Sequence, residues 1–187
     1  MFLKENNLQM FSTPNYDTML PENRRILDHI REGLGFVPNM YAILTKSQHA
    51  LSSYLQFQNR PSLFQKREKE VINLIVSQVN GDLYGQAEHT MFCRLNDFQV
   101  DELFNLRMLF KHDDKKIESL AILVAEILKT KGKIGELTLK HFFSAGYSEA
   151  HLVELVLTIG EKTILNYLWR ITQAPIDFPP VAGMTPL

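Results

Sequence analysis

The sequence predicts an all-α fold in one domain, an orthogonal bundle of helices. The eight prolines stand at positions 14, 21, 38, 61, 175, 179, 180 and 186, so residues 62–174 contain none. Because proline disfavours helix interiors and central strands, such a long stretch favours continuous regular structure. The apolar residues of this stretch recur at helical spacing. The one Asn-Gly pair, Asn80-Gly81, lies between segments of helical period, so it indicates a helix end rather than a β-hairpin.

The domain organisation follows from these patterns. Residues 1–20 are predicted to form an N-terminal arm, residues 21–174 the helical domain, and residues 175–187, which hold four prolines, a non-helical tail. We predict helices near 21–34, 40–59, 66–80, 83–96, 100–110, 114–130, 135–145 and 148–173.

The beginnings of several helices carry capping signals. Asn39 follows Pro38 and begins the helix predicted at 40–59. Asp113 or Asp114 is expected to cap the helix at 114–130. Ser148 is expected to cap the last helix, which Gly160 is expected to break or kink.

The helix predicted at 66–80 differs from the others in its pattern. It begins with the charged run Lys66–Glu70 and then becomes apolar on nearly all sides, from Val71 to Val79. A helix that is apolar on most faces belongs at the centre of a bundle. Glu70 therefore stands where the charged turn enters the core.

Composition excludes several function classes. Lys plus Arg total 20 and Asp plus Glu total 21, a net charge of −1 that argues against a general nucleic-acid binder. No apolar stretch approaches the roughly 20 residues of a membrane span. The first residues contain acid too early for a signal peptide, so we expect a cytoplasmic protein. The one cysteine, Cys93, cannot form an internal disulfide, a CxxC pair or a thiolate-rich zinc site.

One segment, from Glu70 to His89, has a recognisable spacing: EVINLIVSQVNGDLYGQAEH. It resembles the signature of the alkylhydroperoxidase D-like, or carboxymuconolactone decarboxylase, superfamily. That signature is Glu, eleven residues, Cys-x-x-Cys, three residues and His. Glu70 and His89 match its glutamate and histidine, and Tyr84 matches a tyrosine common between the cysteines. Asp82 and Gly85 stand at the two cysteine positions.

The resemblance covers about residues 33–178, including Leu34–Asn39 and the stretch from Ala145 to Asn166. It implies the all-helical alkylhydroperoxidase D-like fold and, since the family's subunits commonly form trimers or hexamers, a homo-oligomer. In the family's peroxidases one sulfur attacks the hydroperoxide and the other resolves the sulfenic acid, while the glutamate relays protons. With Asp82 and Gly85 in place of the sulfurs, we expect this dithiol activity to be lost.

The remaining groups can still do acid/base chemistry. Positions 82, 85 and 89 fall along one stripe of a helix. A carboxylate can orient an imidazole and raise its pKa, so the predicted catalytic residues are Glu70, Asp82, Tyr84 and His89. Carboxymuconolactone decarboxylase works without a redox pair or cofactor, and we expect no cofactor and no metal here. Ligation of a metal by Glu70, Asp82 and His89 is the less favoured alternative.

Each of these residues also has a purely structural interpretation. Glu70 could pair with Arg67 or Lys66 at the rim of the core. His89 could be a satisfied core histidine and Tyr84 a packing residue. Asp82 directly follows Gly81, where an N-cap is expected.

Three functions therefore remain open at the sequence level. The first is a non-redox acid/base enzyme acting on a small molecule. The second is a non-enzymatic helical oligomer or ligand-binding protein. The third, less favoured, is an antioxidant peroxidase acting through Cys93, which His89 would activate from four residues away; a free cysteine is more often buried.

Overall fold

The structure is a computed structural model, and it describes residue 12 and residues 14–180. Within these residues the regular structure consists of one short 3₁₀ helix, Tyr16–Thr18, and nine α-helices, without strands. The predicted all-α fold is thereby confirmed. The α-helices are α1 (Pro21–Leu34), α2 (Asn39–Leu44), α3 (Ala50–Gln58), α4 (Lys66–Val79), α5 (Leu83–Leu95), α6 (Val100–Arg107), α7 (Lys115–Thr130), α8 (Glu136–Ser144) and α9 (Glu149–Thr172).

The predicted helix at 40–59 is wrong in one respect, because two helices, α2 and α3, occupy this segment. The backbone N–H groups of Thr45, Lys46 and Ser47 each donate to a carbonyl three residues earlier, which tightens the chain into turns after α2. The Thr45 hydroxyl also donates to the Ala42 carbonyl at 2.6 Å. A Thr hydroxyl that bonds the backbone in this way competes with helix continuation.

Helix ends elsewhere follow the capping chemistry. The Asp114 carboxylate accepts hydrogen bonds from the N–H groups of Lys116 and Ile117, which resolves the choice between Asp113 and Asp114. Ser148 caps α9 as predicted. The predicted break at Gly160 is wrong, since α9 runs without interruption from Glu149 to Thr172. Packing of the helix against the rest of the bundle stabilises it despite the low helix propensity of glycine.

The core has two parts, and helices α5 and α9 contribute residues to both. One contains the apolar face of α4 with residues of α6, α7, α8 and the first half of α9. The other contains residues of α1, α2 and α3, the first turns of α5, the end of α9 and Phe178. Helix α4 packs against α5, α7 and α9, so its all-round apolar sequence is explained by its central position.

Helices α4 and α5 form an antiparallel pair joined by a tight turn. Gly81 has φ +66°, the left-handed conformation expected of this glycine. Glu70 lies ten residues before Asn80 and His89 nine residues after it. At a rise of about 1.5 Å per residue, the two side chains therefore meet at the same height.

The chain ends are described in part. The predicted arm lies largely outside the described residues; its end forms the 3₁₀ helix, where the Tyr16 hydroxyl donates to Asp28. The non-helical segment after α9 is described to position 180, and Phe178 is buried in the second part of the core. None of the helices in the described residues is long and apolar enough to cross a membrane.

Candidate functional site

Glu70 and His89, predicted to act together, are in direct contact. His89 Nδ1 lies 2.7 Å from Glu70 Oε2, a short hydrogen bond between α4 and α5. The His89 residue is 5 % exposed. Its second nitrogen, Nε2, has no hydrogen-bond partner among the described residues, although Glu88 Oε2 lies 3.4 Å away.

A cavity of about 190 Å³ adjoins this pair. An empty space of about 150 Å³ holds benzene in an engineered protein, so this cavity has room for a small ring with one or two substituents. Its wall combines carboxylates, amides, two basic side chains and aromatic rings. The residues that line it are Tyr41, Gln58, Arg60, Lys69, Glu70, Asn73, Glu88, His89, Phe92, Thr158 and Glu161.

Burial shifts the pKa values of the two hydrogen-bonded groups in opposite directions. It raises the pKa of Glu70 to about 7, although Lys162, Lys66 and Lys69 act against the shift. It lowers the pKa of His89 to about 3, with a further contribution from the Lys162 ammonium and an opposing one from Glu88. Near neutral pH, His89 is therefore uncharged and Glu70 is the group that titrates.

The structure adds a buried ion pair that the sequence analysis did not include. Lys162 Nζ donates to Glu88 Oε2 at 2.6 Å. Burial lowers the pKa of Lys162, but Glu88 and Asp82 outweigh this effect and the net shift is upward. Lys162 therefore keeps its charge inside the bundle.

A sequence signal for Lys162 was present. Lys162 and Asn166 continue the buried stripe of α9 that begins at Leu155 and Ile159, with steps of four, three and four residues. A charged residue on an apolar stripe needs a buried partner of opposite charge. Its partner, Glu88, stands immediately before His89.

Glu161 completes the acidic wall of the cavity. It accepts a short hydrogen bond from the Tyr54 hydroxyl. Burial raises the pKa of Glu161, while the bond from Tyr54 and the Lys162 ammonium limit the shift. This carboxyl group was also absent from the sequence prediction.

Asp82 occupies the N-cap position of α5, as predicted, although its side chain makes no hydrogen bond of capping geometry. It lies behind the cavity wall rather than on it. Asn166 Nδ2 donates to Asp82 Oδ2 at 2.6 Å. Burial raises the pKa of Asp82 to about 6, against the influence of Lys162 and of the Gly85 N–H. The charge of Lys162 influences Asp82 as well as the Glu70–His89 pair.

Gly85 has no space for a side chain. A Cβ atom there would lie 2.3 Å from Ser77 Oγ and 2.6 Å from Asp82 Oδ2. Van der Waals contacts between such atoms require more than 3 Å, so a glycine at position 85 is required by the packing of Asp82 against α4.

The structure does not bring Tyr84 to the other predicted catalytic residues. Its ring is buried in the second part of the core, 5.4 Å from the Phe178 ring in an edge-to-face contact. Its hydroxyl accepts a long hydrogen bond from the Met40 N–H at 3.4 Å. Its position supports the packing interpretation.

Cys93 is fully buried in the first part of the core. Burial, reinforced by the negative charge of Glu70, raises the pKa of the thiol well above its usual range. A thiol that is neither exposed nor ionised is a poor nucleophile.

A metal site is not supported by the donor geometry. In residues 12 and 14–180, no group of three His, Cys, Asp or Glu side chains is arranged to hold a metal ion.

Comparisons with known proteins agree on the fold. No protein-family model matches the sequence, and no curated protein matches it. Among solved structures, a peroxidase-related protein from Silicibacter sp. TM1040 is 18% identical with a TM-score of 0.80, covering 94% of this chain and 95% of its own. A peroxidase-related protein with the alkylhydroperoxidase AhpD core, from Ralstonia eutropha JMP134, is 13% identical with a TM-score of 0.77, covering 93% of each chain.

The debrominase Bmp8, solved as a cysteine-to-alanine variant in complex with 2,3,4-tribromopyrrole, is 14% identical with a TM-score of 0.72, covering 89% of this chain and 94% of its own. These similarities extend over nearly the whole length of each protein. The chain therefore has the fold of the alkylhydroperoxidase D-like superfamily.

Proposed function

We propose that this protein performs cofactor-free acid/base chemistry on a small molecule bound beside Glu70 and His89. The observation that carries the proposal is the 2.7 Å hydrogen bond between Glu70 and His89 Nδ1 at the wall of a 190 Å³ cavity. The free Nε2 on the other side of the imidazole is where a substrate proton would arrive.

The pKa values assign a role to each group. An imidazole whose pKa is about 3 is too weak a base to hold a second proton. When Nε2 accepts a proton from the substrate, Nδ1 passes its own proton to Glu70, so His89 stays neutral and acts as a relay. The net base is Glu70, whose pKa of about 7 suits neutral pH. The reverse transfer returns a proton to another atom of the substrate, and no electrons are exchanged.

The dithiol peroxidase reaction of the superfamily is not proposed for this chain. That reaction needs two sulfurs, and the sequence contains one cysteine, which is buried in the core. A peroxidase acting through Cys93 has no support from its position. Alkylation of the native protein tests this directly: we expect Cys93 to react only after denaturation, and fast native labelling together with peroxide consumption would restore that alternative.

Proton transfer is tested by deuterium exchange from D₂O into small, uncharged carbon acids such as dihydroxyacetone, followed by NMR. We expect the protein to accelerate exchange, and both Glu70→Gln and His89→Gln to lower the rate by about 100-fold, in line with the usual contribution of a general base. The matched controls are Glu136→Gln and His29→Gln, whose side chains are 82% and 89% exposed. Equal rates in all five proteins would refute the proposal and favour the non-enzymatic alternative.

We also propose that the protein forms a homo-oligomer, the expectation that came with the family resemblance. Helix α9 supports this because the face opposite Lys162 is apolar and exposed along most of its length. Its residues are Val153, Val156, Leu157, Ile164, Tyr167 and Ile171. Contiguous apolar surface of this kind marks an interaction site in proteins that remain in solution.

A further inference from the structure

We infer that the ligand of the Glu70–His89 cavity is a small, uncharged molecule that donates at least two hydrogen bonds through O–H or N–H groups. The inference rests on the proposed function for the location of the site, but it concerns binding and not turnover.

Two buried polar atoms on the cavity wall lack partners within the described chain. They are Asn73 Oδ1 and His89 Nε2. A buried polar atom without a hydrogen bond is costly, so each such atom points to a ligand group or a water that completes it. The amide oxygen of Asn73 can only accept a hydrogen bond. Its partner must therefore be a donor.

Two donor side chains of the wall, Tyr41 and Arg60, already make hydrogen bonds within the protein. The Tyr41 hydroxyl donates to Gln58 Oε1 at 3.0 Å. Arg60 donates to the Phe57 carbonyl and to Thr158 Oγ1 at 2.8 and 2.9 Å. Of the two basic side chains that line the cavity, Lys69 remains as a donor for a ligand. The carboxyl oxygens of Glu70, Glu88 and Glu161 add further acceptors. A ligand that matches this wall supplies protons to it.

The charges around the cavity are largely balanced, which argues for an uncharged ligand. Lys162 already neutralises Glu88. On the same wall Arg60 and Lys69 lie beside the carboxyl groups of Glu70 and Glu161, so the formal charges of these six side chains cancel. An anion would be placed against three carboxyl groups, and a cation would find little uncompensated negative charge. A neutral ligand with O–H or N–H donors avoids both the repulsion that an anion would meet and the loss of hydration that a buried cation would suffer.

The volume of the cavity, about 190 Å³, suits a ligand of about six to ten non-hydrogen atoms, because about 150 Å³ accommodates benzene. The ring of Phe92 provides an apolar wall beside the acceptors. Small hydroxylated rings and compact polyols have these properties.

A ladder of three probes tests the inference: catechol, 2-methoxyphenol and 1,2-dimethoxybenzene, which have two, one and no O–H donors and gain one methyl group at each step. Affinities are measured by calorimetry and by ligand-observed NMR on the full chain. We expect each lost donor to weaken binding by about tenfold, the usual worth of a hydrogen bond. Benzylamine and benzoate, as charged probes, are expected to bind more weakly than catechol.

The variant Asn73→Leu keeps the side-chain size and removes the acceptor. We expect it to weaken catechol binding by about tenfold while leaving 1,2-dimethoxybenzene unaffected. Asn105→Leu, on α6 and away from the cavity, is the matched control and should leave the ladder intact.

Three results would overturn the inference: equal binding across the ladder, tighter binding of either charged probe, or no binding of any probe. If affinity falls with each lost donor but the protein does not accelerate deuterium exchange, the ligand class is retained and the proposed function is refuted. If the protein accelerates exchange but affinity does not depend on the number of donors, the proposed function is retained and the ligand class is refuted.

Discussion

Lys162 Nζ lies 2.6 Å from Glu88 Oε2 inside the bundle, where Lys162 is only 2% exposed. Glu88 borders the cavity and Lys162 lies behind it. The pair thus brings a fixed positive charge close to Glu70 and His89 without exposing it to a ligand, and Lys162 influences the pKa of both groups.

Replacing one member of this pair should be more harmful than replacing both. Lys162→Met leaves the Glu88 carboxylate buried without its partner, and we expect it to lower the free energy of unfolding by about 3–5 kcal/mol. Lys162→Met combined with Glu88→Leu removes both charges, so the double variant should lose less than the two single variants together. Denaturant unfolding of the four proteins measures this coupling, and strictly additive losses would contradict the ion pair.

The pKa of Glu70 predicts a pH-dependent gain in stability for Glu70→Gln. Burial raises this pKa from 4.5 to about 7, so between these values the folded protein binds more protons than the unfolded chain. The wild-type protein therefore loses stability relative to the Gln variant as pH rises through this window, by up to about 3 kcal/mol.

Thermal or denaturant unfolding from pH 4.5 to 8 checks this prediction. The difference between Glu70→Gln and wild type should be smallest at pH 4.5 and level off above pH 7. The control Glu136→Gln, at an exposed position of α8, should show no comparable trend. A difference that is constant over this range would mean that Glu70 titrates normally.

The sequence predicted those features that depend on local chemistry. Asp114 and Ser148 cap their helices because a side-chain oxygen at that position satisfies backbone N–H groups wherever the helix lies. The contact between Glu70 and His89 followed from family spacing, and the tight turn at Gly81 explains why the spacing brings them together.

The features that were missed depend on tertiary packing. Lys162 is 74 residues from Glu88, and the sequence does not show which buried carboxylate it meets. Tyr84 lies one helical turn before Glu88, nearer the start of α5, and there it packs against Phe178 in the second part of the core. At the end of α2, the Thr45 hydroxyl donates to the Ala42 carbonyl and so competes with the backbone hydrogen bonds of a continuing helix. The spacing of apolar residues contains no information about this competition.

Gly85→Ala should destabilise the protein although alanine favours helices. The new Cβ would lie 2.3 Å from Ser77 Oγ and 2.6 Å from Asp82 Oδ2, so these side chains or the two helices would have to shift to admit it. We expect a loss of about 1–3 kcal/mol, with partial recovery when Ser77→Gly is added. Gly33→Ala, on α1, is the control: a Cβ there meets no described atom within 4 Å, so stability should be unchanged or higher by up to about 1 kcal/mol. A neutral Gly85→Ala would show that the helices adapt at this contact.

The exposed apolar face of α9 predicts self-association. Sedimentation at micromolar concentration should give a mass that is a multiple of 21.6 kDa, and the family resemblance specifies three or six copies. Ile164→Glu places a charge at the middle of this face, where burial against a second copy would require its desolvation, so the assembly should dissociate to smaller species. Leu137→Glu introduces the same charge at an exposed leucine on α8 and should leave the mass unchanged. A monomeric wild-type protein, or an assembly that tolerates Ile164→Glu, would refute α9 as the interface.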